Sequence, residues 1–291
     1  MTTALDLNNP YSSAEFKRVK AVRFTVLDPE TIVGYAVAEV KTVEIYQHGM
    51  PVHNGVNDPR LGPIDIRAIC ETCGMGLKEC PGHWGYLTLA KPMFHWGFMK
   101  ATHNVLRCVC HYCSRLLADP KDFRMVNAMK LIAPKKRLSA VMLCCRSKKK
   151  CQVKELEGDE ASVQDPDSKF AGGCGYAQPH YRIDATVMYV SFPQGDEDEG
   201  AKQDTKRVMS AEDALTIFRR ISDRDVKAMG FDPKQNHPAN MILTHLAIPP
   251  PAVRPTISFG AQRSEDDITA KLSDIIKTNI FLKTQVESGA G

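Results

Sequence analysis

A chain of 291 residues, 43% hydrophobic and 25% charged, has apolar material for one or two domains of roughly 150 residues, which excludes a wholly disordered or fibrous protein. Its best apolar stretch, Met241 to Val253, is shorter than the roughly 18 residues of a membrane helix and is broken by His245 and three prolines, so no membrane partner is expected. The net charge of +4 hides a split that makes nucleic acid a candidate partner: residues 101–150 carry twelve Lys or Arg against two acids, whereas residues 151–200 carry three against eleven.

The first ten residues have neither a basic n-region nor a long apolar run, which predicts an intracellular, reducing setting. Val19 to Leu27 approximates a period of 2 and is rich in β-branched residues, predicting a half-buried strand. From Gly49 to Gly97 the chain is dense in Gly, Pro, Cys and His, with a turn at Asp58 to Gly62 and no long period, so this segment needs an external staple. Residues 158–170 and 193–206 have the polar composition of mobile, exposed loops, and the acidic run Asp196 to Glu199 is expected to be solvated.

Helix signals follow. Ser210 to Asp213 is a capping-box variant ahead of Ala214, Ile217, Phe218 and Ile221 on one face, and a second short helix is predicted from Ser222 to near Gly230. Met241 to Ile248 reads as a buried strand. Pro249 to Pro255 reads as an extended, stiff loop, because its prolines fix φ and forbid a helix. Ser264 to Asp267 caps a last helix with Ile268, Leu272, Ile275 and Asn279 along one stripe, and that stripe has no partner before Gly291, as in a sequence cut from something longer.

In a reducing compartment the ten cysteines are thiolate ligands before they are disulfides. Cys70-x2-Cys73-x6-Cys80-x2-His83 offers two short hooks whose curled backbones bring four donors to one ion, the tetrahedral demand of zinc. Gly74, Gly76 and Gly82 supply the tight conformations the hooks need. A second hook, Cys110-x2-Cys113, is followed by 37 residues before Cys151 and 22 more before Cys174, with Cys108, Cys144, Cys145 and His111 competing on spacing alone. A Cys flanked by apolar residues, such as Cys108 or Cys144, is more often a small buried apolar side chain. Four donors, mostly Cys, leave no open position, so a catalytic zinc is not expected, and no His-Glu-x-x-His string supports a zinc hydrolase.

The string from Asp58-Pro-Arg60 through Cys70-Glu-Thr-Cys73 and Cys80-Pro-Gly-His83-Trp-Gly-Tyr to His95 resembles the amino-terminal region of the largest subunit of eukaryotic and archaeal multisubunit RNA polymerases. The resemblance continues through Cys110-His-Tyr-Cys113, Gly172 to Pro179, Met241 to Thr244, Pro249 to Ser258 and Glu265 to Leu272, and the Gly172 and proline-rich strings look most like polymerase II. It implies the clamp, a mobile module that closes over template DNA and the RNA–DNA hybrid, contacts the second-largest and smaller subunits, and docks initiation and elongation factors in the nucleus. It also implies Cys110, Cys113, Cys151 and Cys174 as the second zinc set, making two zinc ions. Tyr86 stands where the family often has a second His, a departure expected to leave the first zinc shell intact. The residues around 248–262 align with the family's lid, where Arg254 is expected either to touch nucleic acid or to satisfy local carbonyls. Lys148, Lys149 and Lys150 are expected to contact nucleic acid or to offset the charge of a four-thiolate zinc. The family's magnesium loop, Asn-Ala-Asp-Phe-Asp-Gly-Asp, does not occur, so magnesium belongs only to a part of the subunit outside this sequence and no catalytic residue is expected here.

The resulting expectation is an α+β, irregular, zinc-stapled clamp module with short antiparallel strands, several helices and the first arm of a coiled-coil. Residues 1–100 would form the clamp core with the first zinc, 101–240 the clamp head with the second, 241–262 a strand and lid-like loop, and 263–291 the truncated start of the coiled-coil. The alternative is a free-standing zinc-ribbon module that binds nucleic acid or protein and buries the stripe on its last helix.

Overall fold

Two apolar cores organise the computed structural model, which describes residues 17–22, 24–152, 173–193, 206–259 and 262–289. The smaller core gathers Ala38, Val40, Val56, Leu61, Leu87, Ile248, Leu272 and Ile276, so segments from the expected clamp core, the strand and the last helix share one interior. The larger runs from Met99 to Ile242 and includes Leu106, Met125, Val141, Met188, Phe218 and Met229. Among the described residues there are seven α-helices and ten short strands, and no helix is long and apolar enough to cross a membrane.

The smaller core is built on a sheet of β1 (Ala38–Glu39), β4 (Gly85–Phe94) and β8 (Ile242–Ile248), preceded by α1 (Pro29–Tyr35) and the hairpin β2 (Tyr46–Gln47) and β3 (Met50–Pro51). β4 pairs antiparallel with β8 but parallel with β1, so the expected antiparallel pairing holds for all but this short edge. The β4–β8 register shifts between Thr88 and Met93. There Asn279 closes the gap: its Oδ1 accepts from Ala90 N at 2.8 Å and its Nδ2 donates to Thr88 O at 2.9 Å, so a side-chain amide replaces part of the interrupted ladder. Asn279 lies on the last helix, α7 (Asp267–Glu287), which Asp266 caps by accepting from Ile268 N. The face α7 buries holds Leu272, as expected, with Thr269 and Ile276 in place of the expected Ile268 and Ile275, which stay 44% and 40% exposed.

Around the larger core stand α2 (Met99–Leu106), α3 (Phe123–Met129), α4 (Pro134–Cys145), the sheet β5 (His180–Asp184), β6 (Val187–Ser191) and β7 (Lys206–Val208), then α5 (Ala211–Arg219) and α6 (Asp223–Met229). Ser210 Oγ accepts from Asp213 N at 3.0 Å and Ser222 Oγ from Asp225 N at 3.2 Å, while Gly230 ends α6 with φ of 94°. These caps satisfy orphan N–H groups at the helix starts and a left-handed turn at the end, as the sequence predicts.

Val19 to Leu27 forms no strand in its described residues; Val19 is 78% and Phe24 95% exposed. An alternating pattern becomes a strand only beside a ladder partner, and no described strand lies alongside it. Conversely, β4 arises inside the segment expected to lack regular structure. The proline loop is not wholly extended: Pro251–Val253 makes one 3₁₀ turn, which Pro tolerates at the first position, before the hairpin β9 (Ile257–Phe259) and β10 (Gln262–Ser264). The acidic run Asp196 to Glu199 and most of the two expected mobile loops lie outside the described residues.

Candidate metal centres

Both Cys-x-x-Cys hooks are built the same way. In the first, Gly74 N donates back to Cys70 O at 2.8 Å and Cys70 N donates to Met75 O at 2.9 Å; in the second, Ser114 N donates to Cys110 O at 2.9 Å and Cys110 N to Arg115 O at 2.8 Å. The residue after each second Cys takes the left-handed conformation, Gly74 with φ of 70° and Ser114 with φ of 60°. That turn aims both thiols at one side of the hook, which is the geometric reason this spacing serves a metal. Ser114 is fully buried and its Oγ has no hydrogen-bond partner, so the turn is held against both a φ and a solvation cost.

The other two donors of each centre arrive from elsewhere in the chain. Cys80 and His83 come on a loop fixed by Cys80 N donating to Gly76 O and His83 N donating to Leu61 O, both at 2.9 Å. Cys73 and Cys80 Sγ stand 3.6 Å apart, and Cys80 Sγ lies 3.7 Å from His83 Nε2. For the second centre, Cys151 N donates to Tyr176 O at 3.0 Å and Gln178 N to Lys149 O at 2.8 Å, a two-rung bridge that carries Cys151 and Cys174 to the hook. Cys113 and Cys151 Sγ are then 3.7 Å apart, and Cys110 and Cys174 Sγ 3.4 Å.

Within each set the four ligand atoms all lie within 4.8 Å of one another. A tetrahedron with zinc–sulfur bonds near 2.3 Å has edges of about 3.8 Å, so the donor types and their spacing fit such an ion without rearrangement. Cys108, Cys144, Cys145 and His111 belong to neither set. Cys108 and Cys145 are buried in the larger core, and His111 Nδ1 pairs with Tyr181 Oη at 2.8 Å. Tyr86 lies in β4 with its ring 5.9 Å from that of His245.

The thiols of each set hold their protons unequally. A hydrogen bond from Cys113, outweighing burial and joined by backbone N–H groups of Cys113 and Tyr112, brings Cys110 down to about 4, and the same bond pushes Cys113 far up. Burial pushes Cys80 and Cys174 up to about 11. A dication entering either set therefore expels protons from the neighbours that still hold them. Gln178, which spacing did not single out, links the second set to its surroundings: its Nε2 donates to Cys110 Sγ at 3.3 Å and its Oε1 accepts from His111 N at 2.9 Å.

Asp58 and Arg60 are the counterpart beside the first set. Asp58 is fully buried, accepts from Arg60 N and Nε at 2.9 Å and from Arg60 Nη2 at 2.6 Å, and Arg60 O in turn accepts from Thr72 Oγ1 inside the hook at 2.7 Å. Burial alone would raise the Asp58 carboxyl, but the Arg60 guanidinium and the backbone N–H groups of Arg60 and Asn54 outweigh it and hold it below its usual value.

Arg254 takes the second of its two expected roles. It is 1% exposed, and its guanidinium donates to Pro249 O at 3.0 Å, Asn57 Oδ1 at 2.6 Å, Thr269 Oγ1 at 3.1 Å and Val56 O. These bonds tie the proline loop to the smaller core and to the first turn of α7. Lys149 and Lys150 are exposed and Lys148 half-buried, on the chain that delivers Cys151.

Backbone space fixes one more residue. A Cβ on Gly173, whose φ is 88°, would stand 2.2 Å from Gln152 O and 3.2 Å from Cys151 Sγ, whereas one on Gly74 meets nothing within 4 Å. Gly173→Ala is expected to cost about 2–5 kcal/mol and to release the second metal first under a chelator challenge, while Gly74→Ala costs only the left-handed backbone, about 1–2 kcal/mol. Metal content followed against chelator concentration checks this; equal retention by the two variants would contradict it.

The fold and its two centres define a class: an α+β module whose irregular segments carry two four-donor Cys/His sets, each able to hold a metal ion. The chain matches the family model described as RNA polymerase Rpb1, domain 1, over residues 16–291, and it belongs to that family. It is thus part of the largest subunit of a multisubunit RNA polymerase, a nucleotidyltransferase that assembles with other subunits and acts on nucleic acid.

Proposed function

We propose that the chain is the clamp portion of polymerase II, closing over template DNA and the RNA–DNA hybrid in the nucleus, docking initiation and elongation factors, and stapled by two zinc ions on Cys70, Cys73, Cys80 and His83 and on Cys110, Cys113, Cys151 and Cys174. The gathering of both donor sets in a chain of this family carries the reading. Residues 1–100 serve as clamp core and 101–240 as clamp head, with residues 241–262 as strand and lid and α7 as the first arm of a coiled-coil. The exposure of Ile268, Ile275 and Leu282, spaced by sevens on α7, favours a helix that packs on a further helix over a free-standing module that buries its stripe.

The basic block supplies the nucleic-acid contact, with Lys148, Lys149 and Lys150 as its densest part. The metal-loaded chain should bind duplex DNA weakly and without sequence preference, log affinity falling with log salt by roughly 0.9 per phosphate contacted. A Lys148/Lys149/Lys150→Ala variant should lower that slope by roughly 2 to 3. An unchanged slope and affinity together with a lower melting temperature would assign the lysines to the metal centre instead.

A further inference from the structure

The chain that closes the second metal centre also walls a cavity of about 760 Å³, within the roughly 300–1,000 Å³ of ordinary ligand sites. Arg107 at the end of α2, Arg146 and Lys148 just past α4, Lys149, Lys150 and His180 surround it, and no Asp or Glu is among its described lining residues. Its inner wall is apolar, formed by Leu106, Val109, Leu117 and Cys145 from the larger core, with Pro179 and Pro193 at the margin. Its cationic edge is held in place by the bridge of Lys150 to Ala177 and by the bond of Gln178 N to Lys149 O.

We propose that this cavity is the docking site for an acidic peptide segment of a partner protein carrying one apolar side chain, and that the segment competes with nucleic acid for Lys148, Lys149 and Lys150. The competition rests on the nucleic-acid reading of those lysines above; the docking does not. Charge complementarity selects the acidic partner: five cations converge on one concavity with no carboxylate among its described lining residues. The apolar interior selects the peptide, because a phosphodiester backbone has no apolar group to place there, whereas a Leu or Phe flanked by Asp and Glu fills the floor and pairs with the rim at once. The β-bridged rim needs no ordering on binding, which favours affinity.

The test uses the assembled polymerase carrying this chain and a fluorescent peptide of Glu and Asp flanking a central photoreactive leucine analogue. Binding should weaken roughly tenfold in Arg107→Gln/Arg146→Gln, since each charge pair at a solvent-accessible rim is worth up to about 1 kcal/mol, and by a similar factor when the central residue is Ser. Crosslinks should map to residues 106–109 and 177–181, metal content should stay unchanged, and saturating peptide should weaken duplex DNA binding. Equal binding by the Ser peptide would reduce the site to a non-selective cationic surface, and duplex DNA losing affinity in the Arg107/Arg146 variant while the peptide does not would make it a phosphate site. Binding seen only after Asp196→Asn, Glu197→Gln, Asp198→Asn and Glu199→Gln would give the cavity to the chain's own acidic run. Each of these three results overturns the proposal. Peptide binding that leaves DNA affinity untouched would overturn the competition alone, and the salt titration decides separately whether the lysines contact DNA.

Discussion

Cys80→Ser and Cys113→Ser are expected to unfold the segments around their centres, whereas Cys108→Ser lowers the melting temperature only modestly. A structural zinc in such a site contributes on the order of 10–16 kcal/mol of apparent binding free energy, against a whole-domain stability of about 5–15 kcal/mol. The segments held by Cys80 and by Cys113 have little regular structure of their own, so losing one donor removes most of what orders them. Cys108 is more deeply buried than either but lies outside both donor sets, and a serine there costs only the burial of a hydroxyl, about 1–3 kcal/mol. Thermal melts with metal content measured on the same samples check this, and equal melting temperatures for the three variants would mean that the donors are wrongly assigned.

Arg254→Ala should be nearly as damaging without touching either metal. Its guanidinium is enclosed, and burial pushes it down to about 10 against the opposing pull of Glu265 and Asp266, so it remains charged at neutral pH. Truncation strands Asn57 Oδ1, Val56 O and Pro249 O and leaves a void where the loop, the core and α7 meet. Removing such a buried charge with four hydrogen bonds costs about 3–5 kcal/mol, or on the order of 10 °C in melting temperature. Arg254→Lys should rescue little, since one ammonium cannot replace donors aimed in four directions. Lys271→Ala, at an exposed ion pair on the same helix, should change stability by under about 0.5 kcal/mol. An unchanged melting temperature for Arg254→Ala together with weakened nucleic-acid binding would assign it the nucleic-acid role instead.

The parts legible in the sequence are those whose causes are local. Cys70, Cys73, Cys80 and His83 lie within fourteen residues, so spacing alone defines their centre, and Ser210, Ser222 and Gly230 mark helix ends by chemistry confined to one turn. Cys151 and Cys174 were reached only through family resemblance, because their meeting depends on the bridge between Lys150 and Ala177 across a long separation. The sequence leaves two roles open for Arg254 for the same reason. An arginine in a proline loop looks exposed until Asn57, 197 residues away in sequence, is brought to it. On α7 the expected stripe is half kept: Leu272 is buried and Asn279 bonds β4, whereas Thr269 and Ile276 take the inward places expected of Ile268 and Ile275. Val19 to Leu27 shows the converse, a local pattern without the long-range partner that would make it a strand.

The claim on which the rest depends is that both donor sets hold zinc at once. Metal analysis combined with zinc-edge X-ray absorption on the purified chain tests it in one preparation. Two zinc ions per chain, with an average shell of three to four sulfurs and less than one nitrogen, is the predicted result, since one centre offers four thiolates and the other three thiolates and an imidazole. One zinc or none in fully reduced protein, or a shell dominated by oxygen, would contradict it.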